Sequence, residues 1–213
     1  QHNLMHQSKD KQDNAQEHKI KFGIINEVNR VVYNDLYKNG SQIFKKAKQD
    51  KNNIINIVIV GAGEYGTQMF KTLLWYCNVI GYKIKFTILD LNKNCLLEYK
   101  AKFPEVDFLG GDEDGLPSGK QPNYNVKIFG GINVKSKEFL DIISNSKPSY
   151  VFVSVGDDEL NLNTAIIVRE QCEKDKIKPI IKLSMRSSKI ADKIAKALTI
   201  AKTNLWSPMV ASR

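Results

Sequence analysis

Residues 54–90 read IINIVIVGAGEYGTQMFKTLLWYCNVIGYKIKFTILD. The opening IINIVIV is short, continuous and β-branched, as a strand buried on both faces should be. Gly61, Gly63 and Gly66 follow it. Beyond them Met69, Phe70, Leu73, Leu74, Cys77 and Ile80 recur at helical spacing, and Gly81 is placed to stop that helix. A second apolar run, 84–89, ends at Asp90. The segment therefore predicts a strand, a glycine turn, an amphipathic helix, and a strand closed by an acid.

That order is G-x-G-x-x-G with a carboxylate downstream, the arrangement by which a βαβ unit holds a dinucleotide. Each residue type has a mechanical reason. Gly61 permits the tight turn out of the strand. Gly63 has no side chain, so a pyrophosphate can reach the backbone. Gly66 lets the helix pack closely on the strand. Ala62, Glu64 and Tyr65 fill the remaining positions of the turn. The first amides of the helix have no internal partners, and the helix dipole favours an anion there. Asp90 can accept hydrogen bonds from both ribose hydroxyls and would repel a 2′-phosphate, which favours NAD(H) over NADP(H); another adenine nucleotide is a less expected ligand. Leu91 and Asn92 continue from it, and Lys93 works against the selectivity. The plain alternative is a glycine turn without a ligand and a surface acid at a strand end.

Composition narrows the class. With 42% hydrophobic residues the chain can fill a core. No apolar run approaches the ~20 residues of a membrane helix. Residues 1–19 are polar throughout, so no signal peptide is expected. The chain starts at Gln1 rather than Met, as a piece of a longer protein would. Cys77, Cys95 and Cys172 are isolated and expected to be buried reduced thiols, in keeping with a cytoplasmic setting. No zinc site is expected, because His2, His6 and His18 lie in the polar N-terminal arm. The net charge of +9 comes almost wholly from dispersed lysines; the only arginines are Arg30, Arg169, Arg186 and Arg213. Arginine is the usual reader of guanine edges, and no aromatic platform interleaves the lysines, so nucleic acid is not an expected partner.

Along the chain, 1–17 reads as a disordered arm. Ile24, Val28, Val31, Val32 and Leu36 mark a helix over 20–37, and a second spans 41–48. After Asp90 come a helix over 92–102, a short strand at 106–109 and a loop over 110–125, long enough to be functional or mobile. Its Gly119-Lys120 fails as a phosphate loop, since Asp114 stands where the first glycine belongs and Gln121 where Ser or Thr belongs. Strands follow at 126–129, 150–155 and 177–183. Helices are expected around 139–143, over 158–173 with Ala165, Ile166 and Cys172 inward, and over 188–205. Alternating strands and helices imply an α/β fold, a Rossmann-like doubly wound parallel sheet of order 3-2-1-4-5. The expected division is a polar arm (1–19), a helical extension (20–52), the dinucleotide-binding domain (53–186), and a C-terminal helix and tail (187–213).

A second signature lies at 150–170, YVFVSVGDDELNLNTAIIVRE. Strand 4 of such a sheet adjoins strand 1 at the topological switch point, so its exit loop borders the same crevice. Val155, Gly156 and the acids Asp157 and Glu159 are thereby candidates for cofactor contact; capping of the next helix by Asp157 or Asp158 is the simpler role. Together, VIVGAGEYG, ILD and VFVSVGDDELNLNTAIIVRE resemble the TrkA N-terminal, or RCK, domains, over about residues 54–183. That resemblance implies NAD(H) or nucleotide binding coupled to a channel, a transporter or another effector. It assigns Gly61, Gly63 and Gly66 to the phosphate turn, Glu64 and Tyr65 to positions over the pyrophosphate, and Asp90 to the ribose. It assigns Gly156, Asp157, Glu159 and Asn161 to the end of strand 4. Gly131 and Ile132 stand after strand 3, where the family shows Gly-Asp; the acid is missing from Gly130-Gly131-Ile132-Asn133.

Besides binding of a nucleic acid or another anionic partner, the least favoured reading, two functions compete. One is a nucleotide-binding regulatory domain, with a homodimer or an outside effector as partner. The other is an NAD-dependent oxidoreductase, or its cofactor-binding part. Hydride transfer usually needs a positioned proton donor, and 53–186 contains neither a histidine nor a Tyr-x-x-x-Lys pair. No catalytic residue is therefore assigned.

Overall fold

The computed structural model describes residues 27–49, 53–111, 123–186 and 206–210. Among the described residues seven strands form one sheet: β1 (Ile54–Val60), β2 (Lys83–Asp90), β3 (Phe108–Gly110), β4 (Tyr124–Gly130), β5 (Tyr150–Val153), β6 (Ile180–Met185) and β7 (Trp206–Val210). Their order is β3-β4-β2-β1-β5-β6-β7, and every pairing is parallel. The central five strands, β4-β2-β1-β5-β6, are the expected 3-2-1-4-5. The fold is a doubly wound Rossmann-like α/β sheet.

The helices are α1 (Glu27–Asn39), α2 (Ser41–Gln49), α3 (Glu64–Cys77), α4 (Cys95–Lys102), α5 (Lys137–Ser146) and α6 (Asp158–Lys174). Alternation within β1 divides the core in two. Ile55, Ile57 and Ile59 pack with Val32, Ile43, Phe70, Leu73 and Tyr99, the face of α1 to α4. Val58 and Val60 pack with Phe139, Ile143, Ala165 and Val168, the face of α5 and α6. Fully burying such a side chain contributes roughly 1.5–3 kcal/mol. Two layers built on one strand therefore make β1 the element around which the site is organised.

The N-terminal helices belong to this body. Val32 and Leu36 of α1 are buried, and Asp35 forms an ion pair with Lys182 of β6 at 3.1 Å, their side chains 11% and 4% exposed. Asn39 Nδ2 donates to the same Asp35 Oδ1 at 2.8 Å. Nearby, burial holds the Tyr150 hydroxyl well above its usual pKa, and the Asp35 charge adds to the effect.

Several expectations need correction. The helix after the glycine turn ends at Cys77, before Gly81, and Ile80 is 97% exposed rather than part of its buried stripe. Ile166 also points outward at 39% exposure, while Asn161, Thr164, Ala165, Val168 and Cys172 form the inner face of α6. Part of the expected tail, 206–210, is strand β7, parallel to β6. Tyr124 and Asn125 belong to β4 rather than to the preceding loop. The expected arm, most of that loop and the helix over 188–205 lie outside the described residues.

Candidate functional site

The three glycines of the first turn are required, or permitted, for different reasons. Gly61 has φ +97°, and a Cβ there would stand 2.1 Å from the Ser154 carbonyl oxygen. Its N–H donates to the Leu89 carbonyl at 2.8 Å, which seats the turn between β1 and β2. A Cβ on Gly66 would lie 1.9 Å from the Gly61 oxygen, so α3 can approach the turn only with glycine at that position. Gly63 is ordinary in conformation, φ −64°, and a Cβ there would meet none of the described residues within 4 Å. It is the N-cap of α3 and offers no side chain to the first amides. The space over Gly63 is thus open, and the helix start beneath it lacks a side-chain cap. Glu64 is exposed and Tyr65 half-buried at this start. Below it the Thr67 hydroxyl donates to the Ala62 carbonyl at 2.9 Å and lies 3.3 Å from the buried Tyr99 hydroxyl.

Asp90 reaches the turn from the end of β2. Its Oδ2 accepts the Ala62 N–H at 2.6 Å and its Oδ1 accepts the Asn92 N–H at 2.7 Å. Its carbonyl accepts the Ile132 N–H at 2.9 Å. One residue thereby joins the exits of β1, β2 and β4. A carboxylate has about four acceptor directions, so two backbone donors leave capacity for a ligand hydroxyl. Leu91, 70% exposed, follows. Asn92 is engaged in its own turn: Oδ1 accepts the Asn94 N–H at 2.9 Å, and Nδ2 donates to Glu98 Oε1 at 2.7 Å. Gly131 has φ +81°, and the Lys93 stem lies over it, 3.1 Å from where a Cβ would be.

Of these residues Gly61, Asp90 and Leu91 line a crevice of about 250 Å³, with Val60, Leu89, Ile132 and Val155. It opens at the C-terminal ends of β1, β2 and β5, at the switch point, where open α/β sheets bind ligands. Asn133, Val134, Lys135 and Leu160 also line it, and sequence reasoning missed them. Their signal was position: three follow Ile132 directly, and Leu160 lies in the first turn of α6. On the other flank of the turn, Ala62, Gly63 and Glu64 share a space of about 400 Å³ with Val28 and Asn29 of α1 and Glu98 and Lys102 of α4.

The exit of β5 is organised differently. The Asp157 carboxylate caps α6, Oδ1 accepting the Leu160 N–H at 2.8 Å. Asp158 Oδ1 accepts the Arg186 N–H at 2.7 Å. Asn161 is 2% exposed; its Oδ1 accepts the Val155 N–H at 2.6 Å and its Nδ2 donates to the Ser184 carbonyl at 2.9 Å. Its amide holds the crevice wall from behind, between the exit of β5 and the end of β6. Gly156 on this loop and Glu159 in the first turn of α6 are exposed.

Burial pushes the thiols of Cys77, Cys95 and Cys172 up to about 12; the Asp90 and Glu98 charges add to the effect at Cys95, and Asp175 does so at Cys172. At neutral pH they are protonated and poor nucleophiles. Among the described residues no group of three or more His, Cys, Asp or Glu could hold a metal ion, and no helix is long and apolar enough to cross a membrane.

The topology and crevice are consistent with a nucleotide- or cofactor-binding Rossmann-type domain in general. The chain matches no protein-family model and none of the curated proteins with which it was compared.

Proposed function

We propose that this domain binds an adenine dinucleotide, NAD(H) foremost, and serves as a regulatory sensor of the kind its resemblance to TrkA N-terminal (RCK) domains implies. One observation carries the proposal: the Asp90 carboxylate lies 2.6 Å from the Ala62 amide, beside the uncapped helix start and open backbone at Gly63. An anion over Gly63 would meet free amides and the helix dipole, while the remaining Asp90 lone pairs would accept ribose hydroxyls. Leu91, Ile132 and Val134 offer apolar surface to a base. Binding would shift a regulatory equilibrium only by its differential affinity for two states. Val28 and Asn29 flank the turn, so α1 is the element through which a bound ligand would act.

Thermal denaturation with NAD, NADH, NADP, ATP and S-adenosylmethionine tests this. A ligand at about a hundred times its Kd stabilises the native state by roughly 2.7 kcal/mol. NAD or NADH should give the largest shift, and Asp90→Ala should remove it. Gly63→Val should fold and lose binding, because its side chain would stand where the diphosphate approaches. Equal stabilisation by NADP would refute the role of Asp90, and retained binding in Gly63→Val would put the ligand elsewhere. Light scattering with and without the best ligand reads the interface; an unchanged monomer counts against a self-association switch. Turnover with alcohols, aldehydes or hydroxy acids would instead support the oxidoreductase alternative, for which Lys135 is the ionisable donor lining the crevice.

A further inference from the structure

The turn between α3 and β2 departs from ordinary turn chemistry. Turn tips are usually Gly, Pro, Asn, Asp or Ser. Here the Tyr82 N–H donates to the Val79 carbonyl at 3.1 Å and Gly81 takes φ +90°, so Ile80 stands at the tip of a hydrogen-bonded turn. Ile80 is 97% exposed, Val79 43%, and Trp75 in the last turn of α3 77%. Single exposed apolar residues need no explanation; three gathered at one fixed turn do.

The corner between α1 and α2 packs against this turn. A Cβ on Gly40 would stand 2.6 Å from the Tyr76 hydroxyl, and the Phe44 ring lies 5.7 Å from that of Tyr76 and 5.1 Å from that of Tyr82. Ile54 pairs with Lys83, so the chain enters β1 and β2 side by side, at the end of the sheet opposite the crevice. The surface here is basic. Residues 36–52 hold five lysines and one acid, and residues 71–85 three lysines and no acid. Lys38, Lys45, Lys48 and Lys83 are exposed, and Tyr37 beside Lys38 is 90% exposed. Residues 1–26 and 187–205, outside the described part, are also basic in sum and bring no net counter-charge.

We propose that this end of the molecule docks on an anionic lipid bilayer. Trp75, Val79 and Ile80 enter the boundary between head groups and acyl chains, where Trp is enriched and aliphatic side chains leave water. The lysines around them meet the anionic head groups. A second copy is the poorer occupant, because in a two-fold dimer this face would meet itself, lysine against lysine. Nucleic acid is poorer too, since Val79 and Ile80 offer no stacking face to a base. A chain held by this end turns its crevice towards the solution. The docking does not depend on what binds at the glycine turn.

Sedimentation of the full chain with vesicles tests this. Vesicles of phosphatidylcholine and phosphatidylserine in equal parts should carry the protein down, and phosphatidylcholine alone should not. Raising salt from about 0.1 M to about 1 M shortens the screening length from about 10 Å to about 3 Å and should release most of it. Trp75→Gln with Ile80→Asn should weaken binding on the order of tenfold, through loss of the inserted side chains. Lys45→Gln with Lys48→Gln should weaken it by a similar factor. Lys137→Gln with Lys174→Gln, exposed positions on α5 and α6 across the sheet, should leave it unchanged. Tryptophan emission should shift to the blue on vesicle addition in the wild type and lose that shift in the Trp75→Gln pair. Equal loss in both lysine pairs would mean general charge and overturn the proposal. Full binding in the Trp75→Gln, Ile80→Asn pair would overturn it as well. If acrylamide failed to quench Trp75 in the free chain, the chain's own residues would cover the turn and the proposal would fall. It would also fall if the turn and lysine variants abolished self-association, or binding of a single-stranded oligonucleotide, and left vesicle binding intact.

Discussion

Two strand-to-helix turns border the same crevice, and they treat the helix that follows in opposite ways. At the exit of β1 the cap is Gly63, whose lack of a side chain leaves the first amides of α3 without a side-chain partner. At the exit of β5 the cap is Asp157, which satisfies the first turn of α6 from within, while Asp158 and Asn161 fasten the loop to the end of β6. Both turns carry glycine and acid and both look like ligand loops in one dimension. The first leaves the amides of a helix start without a side-chain partner. The second commits Asp157, Asp158 and Asn161 to architecture, while Gly156 and Glu159 stay exposed.

The sharpest way to break this contrast is at Gly61. Alanine there would set a methyl group against the Ser154 backbone at a φ of +97°, where neither neighbour can yield. Chemical denaturation should record a loss of about 3 kcal/mol or more. A loss under 1 kcal/mol would show that the turn is not locked to β5. Next in size is Asn161→Ala, which strands the Val155 N–H and the Ser184 carbonyl. The expected cost is roughly 2–4 kcal/mol, since each unpaired buried group forfeits about 1–3 kcal/mol. If Asn161→Ala lost nucleotide binding at unchanged stability, its place as a brace would be wrong.

A smaller effect separates the caps. Asp157→Ala should cost about 1 kcal/mol through the lost N-cap and leave ligand affinity intact. Asp90→Ala should do the reverse in emphasis, with the larger loss in binding. The least visible test treats the two regions as alike. Cys95 follows the Asp90 turn and Cys172 lies in α6, and both thiols are raised from 9.0 to about 12. A folded-state value above the unfolded one stabilises fully below pH 9, and that contribution is lost as pH rises towards 12. Stability should therefore be insensitive to these thiols from pH 6 to 9 and fall in the alkaline window. Cys172→Ala should flatten part of that fall.

The βαβ unit was legible because its cues are short-range. The apolar run of β1, the amphipathic spacing of α3 and the acid ending β2 each lie within a few residues of what they specify. The strand order followed from right-handed parallel crossovers. The end of α3 was misread because Ile80 keeps helical spacing although the chain leaves the helix after Cys77. β7 escaped notice because its pairing with β6 comes from a distant part of the chain. Lys135 was missed for a related reason. Nothing in its neighbourhood marks it, and it comes to line the same crevice as Asp90 only when the exits of β2 and β4 are brought side by side.

What the amino-acid order determined alone is the glycine turn, the strands that flank it and the acid facing it, since sterics and periodicity act locally. What the tertiary structure decided is how the polar atoms are spent. It tied Asn161 to Ser184 and paired Asp35 with Lys182. Hydrogen bonds and charges between residues far apart in sequence exist only once packing sets their distance, and no local pattern encodes that distance.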